Sequence, residues 1–267
     1  MINFDKKQKE KIAFATSKGN LPKWKIRNNW YKVDYFGYEN LSECIISDLL
    51  KYSNAKNFIS YKIEKGIYKN KNTNISISKN FLKLNENFIT CDRLYLINKE
   101  TELSKDLLKY NSIKSKIKHT VDTFKNITKI ENIGKYLTMI LEIDMFFLNE
   151  DRHFNNIGFI YNANKNSFSF SPIFDNGLSL LSDINEYDIN EDVYKLIKKV
   201  KGKPFDNSLE TQCEAAEALY KPQIKFDFDN TDLQNELAKY KEYYDTKILD
   251  RVEKIILEQR RKYLYLF

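Results

Sequence analysis

The 267-residue chain has only three cysteines, Cys44, Cys91 and Cys213, too few and too scattered for a disulfide framework. A reducing cytoplasm is the expected setting, with leaderless secretion or translocation into host cells left open. Seven glycines and four prolines leave little turn-forming composition. No run of about 18 apolar residues occurs, so no membrane span is expected. The opening Met1-Ile2-Asn3-Phe4-Asp5-Lys6-Lys7 has no apolar core of a secretory signal. There is no Gly-x-x-x-x-Gly-Lys-Ser/Thr segment, which disfavours a P-loop nucleotidase. With two histidines and no Cys-x-x-Cys, a zinc site is not expected. No serine sits on a nucleophile elbow. No nucleic-acid-binding signature is present, so direct DNA binding is not expected.

What is present is a 42% apolar chain, enough for a sizeable core in one large domain or two packed lobes. The net charge is 44 − 37 = +7. The basic residues are dispersed, with one dense run at Lys195, Lys198, Lys199, Lys201 and Lys203. That run reads either as a solvated face or as a docking surface for an acidic partner.

Alternating residues predict strands at Lys11–Thr16, Trp24–Arg27 and Trp30–Tyr35. An apolar stripe at Leu41, Ile45 and Leu49 then predicts a helix over Leu41–Tyr52. Strands near Phe58–Glu64 and Ile75–Leu82 follow. The rest reads as mainly helical. Ile133, Leu137, Ile140, Leu141 and Leu148 share one helical face that leads into Asn149-Glu150-Asp151. A hairpin is predicted from Ile157–Tyr161 and Ser167–Ser171, and helices at Ile189–Val200, Glu210–Tyr220, Thr231–Tyr244 and from Lys247 to the end. The expected class is α+β: a small antiparallel sheet lobe with one helix (1–83) and a larger, mainly helical lobe (84–267).

Two short polar breaks bracket the predicted hairpin. The first, Asp151-Arg152-His153-Phe154-Asn155-Asn156, places a carboxylate and an amide five residues apart. The second, Phe174-Asp175-Asn176-Gly177, returns a second carboxylate. Hard oxygen ligands in this order suit phosphoryl transfer, where one Asp orients the attacking hydroxyl while an Asn and another Asp hold Mg²⁺ against the phosphates. Gly177 is expected to let the backbone turn sharply. Lys32 is the candidate phosphate-binding lysine, and Glu43 its partner, with Glu39 as the rival. The turn Thr16-Ser17-Lys18-Gly19-Asn20 would cover the phosphates as a weak glycine loop, or is a plain turn. His153 is expected to brace the catalytic loop. Asp144 either holds that loop's backbone or is solvated.

The motif Asn149-x-Asp151-Arg152-His153-x-x-Asn156, with Phe174-Asp175-x-Gly177-x-Ser179, resembles the HipA-like serine/threonine kinases. It is most similar to their compact, cell-translocating bacterial branch. Trp30-Tyr31-Lys32, Ser78-Lys79-Asn80-Phe81-Leu82 and Lys203-Pro204-Phe205 fit the same pattern. The resemblance implies a two-lobed kinase fold using ATP and Mg²⁺. Asp151 would be the catalytic base, Asn156 and Asp175 the metal ligands and Lys32 the phosphate contact. Thr16, Ser17 and Lys18 would lie over the phosphates, and Ser78, Asn80 and Phe81 in the interlobe hinge at adenine. It further implies autophosphorylation at Ser17 or Thr16 and a protein substrate with a Ser/Thr acceptor. On this reading the chain begins almost at the kinase strands, without the extra N-terminal subdomain that helps engage a DNA-binding antitoxin, so an antitoxin partner is weakly supported. A small-molecule kinase and a nucleotide-binding pseudokinase or toxin–antitoxin interaction protein are the alternatives.

Overall fold

The computed structural model describes residues 2–4 and 22–267. Five strands, Ile2–Asn3 (β1), Lys23–Ile26 (β2), Asn29–Val33 (β3), Tyr61–Tyr68 (β4) and Lys71–Lys79 (β5), form one sheet in the order β1-β4-β5-β3-β2. Neighbours are antiparallel except β1, which runs parallel to β4 and was not expected from the sequence. The Lys-Trp-Lys alternation of β2 sorts residues onto two faces. Trp24 joins Phe4, Val33, Ile75 and Ile77 in a small core on one face. Lys23 and Lys25 go to the other face, opposite Lys32 and Trp30. The expected strand Lys11–Thr16 lies outside the described residues.

The β4–β5 pair is longer than expected and displaced toward its turn, where Lys69 and Asn70 both have positive φ (51° and 58°). That backbone matches the right-handed strand twist of a two-residue hairpin turn. Asn tolerates this conformation, but Lys69 is an unusual occupant, which is why the turn carries no Gly signal.

The helix Glu39–Leu49 (α1), followed by a single 3₁₀ turn at Leu50–Tyr52, packs between this sheet and the rest of the chain, and every residue in it is buried. Burial on all sides forces its polar residues to find partners. Ser76 Oγ donates to Asn40 Oδ1 (2.7 Å), Ser42 Oγ donates to the Ser179 carbonyl (3.1 Å), and Tyr240 Oη donates to Asp48 Oδ2 (2.5 Å). Gly37, just before α1, forms a bridge with Asp183, and a Cβ there would lie 2.2 Å from the Ser182 carbonyl oxygen. Close approach of two backbones accounts for glycine at this position.

The second sheet, Glu86–Thr90 (β6), Gly158–Asn162 (β7) and Ser167–Phe170 (β8), is antiparallel in the order β6-β7-β8. The β7–β8 hairpin is the expected one, whereas β6 is an addition. Around it lie Cys91–Lys99 (α2), Leu103–Leu107 (α3), Ile113–Thr128 (α4), Ile133–Phe147 (α5), Val193–Ile197 (α6), Leu209–Tyr220 (α7), Asn230–Ala238 (α8) and Thr246–Lys262 (α9). The helix expected over Ile189–Val200 shrinks to α6; Asp192 sets its start as N-cap by accepting from the Lys195 N–H (3.1 Å), and it ends at Ile197. The expected 231–244 helix likewise ends at Ala238. α5 is buried on nearly all sides, and Leu148 stops it in the left-handed conformation (φ 59°), delivering the chain to Asn149. Among the described residues, no helix is long and apolar enough to cross a membrane. All three cysteines are free and buried.

Candidate active site

Asn149 follows the α5 stop, with its N–H on the Asp144 carbonyl (2.8 Å) and its Nδ2 on Asp144 Oδ1 (2.9 Å). The Asp151 N–H then donates to Asn149 Oδ1 (3.1 Å). Asp144 and Arg152 are both fully buried. Arg152 gives Asp144 a forked set of bonds from Nε (2.9 Å to Oδ2) and Nη2 (2.9 Å to Oδ1). It also donates to the Phe174 carbonyl (2.7 Å) and Asn176 Oδ1 (2.6 Å), tying the first polar break to the second. Burial pushes the Asp144 carboxyl up, and the guanidinium and the Asn149 amide pull it back. Because a guanidinium stays protonated in proteins, we read the pair as ionised. The sequence left Asp144 open between bracing and solvation; it braces the loop.

The second polar break turns at Asp175 itself, which has φ 63°. Gly177 is not the left-handed residue, and a Cβ there would meet Glu39 Cβ at an ordinary 3.4 Å. The expected sharp turn at Gly177 is therefore corrected to Asp175. A non-glycine residue in this region is uncommon and such strain gathers at functional sites.

Lys32 joins the two groups of elements. Its ammonium bonds Glu43 Oε1 on α1 and Asp175 Oδ1 (2.6 Å). Glu43 Oε2 accepts from the Asn176 N–H (3.0 Å), so one carboxylate orients both the lysine and the Asp175 segment. Glu39, the rival, is spent elsewhere: it accepts from the backbone N–H groups of Phe36 (2.7 Å) and Gly37 (2.9 Å). Burial alone would lower the Lys32 ammonium, but Asp175 and Glu43 override it and hold it well above its usual value. Burial likewise opposes ionisation of Asp175, yet Lys32, Lys23 and Arg152 hold its carboxyl well below the usual range.

Asn156 donates Nδ2 to the Asp151 carbonyl (3.2 Å), so its Oδ1 is the atom suited to a cation. Asp151 Oδ1 accepts from Lys203 Nζ (3.1 Å). His153 Nδ1 accepts from the Asn155 N–H (3.2 Å), which leaves its proton on Nε2, 3.8 Å from Asp151 Oδ2. Burial lowers the His153 imidazole, keeping it neutral beside the carboxylate. Among the described residues, no group of three or more His, Cys, Asp or Glu could hold a metal alone. Asp175 and Asn156 fit a hard cation that takes its remaining ligands from phosphate and water, as Mg²⁺ commonly does.

A cleft of about 290 Å³ opens beside these groups. Lys23, Lys25, Trp30 and Lys32 line one wall with Ser78, which lies inside β5 rather than in the expected hinge; Asn80, Phe81 and Leu82 form the connecting segment, and Asn156, Phe174 and Asp175 the other wall. Phe81, Phe88 and Phe174 form an aromatic cluster with centroids 5.5–5.8 Å apart. Trp30 Nε1 donates to Asn80 Oδ1 (3.2 Å), fixing the connecting segment. Thr16, Ser17 and Lys18 lie outside the described residues. Lys23, not among the expected site residues, also lines the cleft, in keeping with its alternation with Trp24. The basic run containing Lys203 is expected near the site, but its bond to Asp151 itself, across 52 residues, is not legible in the sequence.

Two sheets and a mainly helical body around such a cleft define a kinase-like, two-lobed fold. No family model and no curated protein sequence matches the chain. Among solved structures, it is similar to the Helicobacter pylori proinflammatory kinase CtkA, with a TM-score of 0.69 at 16% identity, covering 99% of this chain and 96% of that one. It also aligns with HipA of Shewanella oneidensis, solved with HipB and operator DNA, with a TM-score of 0.41 at 9% identity, covering 89% of this chain and 59% of that one. The first likeness shows that the chain has the fold of that kinase.

Proposed function

We propose that the chain is an ATP- and Mg²⁺-dependent protein kinase of the HipA-like kind, transferring the γ-phosphoryl group to Ser or Thr hydroxyls. The observation that carries this reading is Lys32, which bonds both Glu43 and Asp175 in a cleft that also holds Asn156. Phosphoryl transfer needs positioning and charge neutralisation more than covalent help, and the cleft offers both. Residues up to about 83 form the nucleotide-binding lobe and 84–267 carry the catalytic loop. Lys32 binds the α- and β-phosphates, held in place by Glu43. Asp175 and Asn156 hold Mg²⁺, which when bound neutralises phosphate charge. Adenine packs near Phe81 on the segment braced by Asn80 and Ser78. Asp151 accepts the proton of the acceptor hydroxyl, with its backbone N–H fixed by Asn149. Thr16, Ser17 and Lys18 are the proposed phosphate contacts, with Ser17 or Thr16 the proposed site of autophosphorylation.

With γ-labelled ATP and Mg²⁺, the protein should place phosphoserine or phosphothreonine on itself or an added protein. Asp151→Asn should cut the rate by about 10³-fold, as expected for loss of a general base. Undiminished labelling by the variant would remove Asp151 from the role of base. Label appearing only on small hydroxyl compounds would replace the protein-kinase reading.

A further inference from the structure

Between Val193 and Phe205 the chain carries five lysines and no acid. Lys195, Lys198, Lys199 and Lys201 are exposed. The fifth, Lys203, donates to Asp151 Oδ1 at 3.1 Å, so the basic run ends on the catalytic aspartate. The segment is held rather than loose. Val193 and Leu196 of α6 are buried, the Gly202 N–H donates to the Asn207 carbonyl (2.6 Å), and Gln212 Nε2 donates to the Lys203 carbonyl (2.7 Å). Phe205 packs edge-on against Phe154 of the catalytic loop, with centroids 5.4 Å apart. Lys199 pairs with Glu191 (2.8 Å), which partly offsets the run at one point.

The location of the run separates it from the nucleotide. Phosphate-side charge comes from Lys32, with Lys23 on the same sheet face, next to Asp175. The 195–203 run instead ends at Lys203, on Asp151, the group proposed to face the acceptor hydroxyl. We propose that this run is a preformed docking surface for an acidic segment flanking the acceptor Ser or Thr, an assignment that rests on the protein-kinase reading above. Exposed ion pairs are individually weak, so several together would give a preference of about tenfold for an acidic over a neutral segment. Such contacts also weaken with salt, because charges beyond the Debye length are screened.

The test uses binding, which needs no turnover. Two fluorescent serine peptides are titrated with the full chain and followed by anisotropy; they are identical except that one carries four Glu and the other four Gln around the serine. The acidic peptide should bind about tenfold more tightly, with the difference shrinking as salt rises. The ratio should fall toward one in the triple variant Lys195→Glu, Lys198→Glu, Lys201→Glu. It should persist when the same three positions carry Arg. Equal affinity for both peptides in the wild type, or a ratio that survives the Glu variant, would overturn the proposal. So would a mixed-sequence RNA that outcompetes the acidic peptide and depends on the same lysines, since the run would then serve nucleic acid. Phosphate transfer to the two peptides is measured in parallel. Transfer to neither would count against the kinase reading, while the binding ratio would still decide the role of the lysines.

Discussion

Asp144 and Asp175 each set a carboxylate against a cation inside the protein, but the two pairs are built for different ends. Asp144 is fully buried, meets the fork of Arg152 and the amide of Asn149, and has only protein around it. Asp175 is 22% exposed, meets a lysine that is also 22% exposed, and lines the cleft. The first pair fixes where the loop goes. The second opens on the cleft, because both partners line it. Closed bidentate geometry suits a scaffold, and a single bond from a flexible ammonium suits a group that can change partners.

Substitutions separate the two. Asp175→Asn should lower phosphoryl transfer by about 10³-fold while the urea midpoint stays near that of the wild type, since Lys32 keeps Glu43. Asp144→Ala leaves Arg152 buried without its partner and should lower unfolding stability by about 3–5 kcal/mol, read as a large drop in urea midpoint. If Asp144→Ala cost activity with no loss of stability, the division between scaffold and site would fail. A smaller effect is expected at the connecting segment. Asn80→Ala removes the acceptor of the Trp30 Nε1–H and should raise the ATP KM about fivefold, the equivalent of one modest hydrogen bond, with kcat little changed.

The smallest effect lies away from the cleft. Glu142 is buried on α5 and accepts from the Gln223 and Ile224 N–H groups (both 2.8 Å). Burial, with Glu217 nearby, raises its carboxyl to about 8. The folded chain thus keeps a proton that the unfolded chain releases. This contribution to stability is complete below the ordinary value of 4.5 and is lost as pH rises through about 8. The wild-type urea midpoint should fall between pH 5 and 9, and more gently in Glu142→Gln; identical slopes would show that Glu142 holds no such proton.

The parts of this arrangement that are local in sequence were legible there. Asp151 and Asn156 share one loop, Asp175 follows one hairpin later, and the 41–49 stripe placed Glu43 on a helix facing Lys32. What was hidden depends on tertiary contact. Arg152 reads as an ordinary loop residue until the fold sets Asp144 and Asn176 around it. Lys203 stands out in the sequence only as part of a basic run and of Lys203-Pro204-Phe205; its bond to Asp151 appears once the chain returns it there. The β4–β5 turn escaped notice because Lys69 and Asn70 adopt a backbone usually signalled by glycine. Gly177 drew attention as a turn residue, but the left-handed position fell on Asp175.

The most direct measurement is a structure of the chain with Mg²⁺ and a non-hydrolysable ATP analogue. The account predicts a cation ligated by Asp175 and Asn156, Lys32 on the phosphates, and the base against Phe81. A nucleotide bound elsewhere, or a cation that touches neither Asp175 nor Asn156, would contradict it.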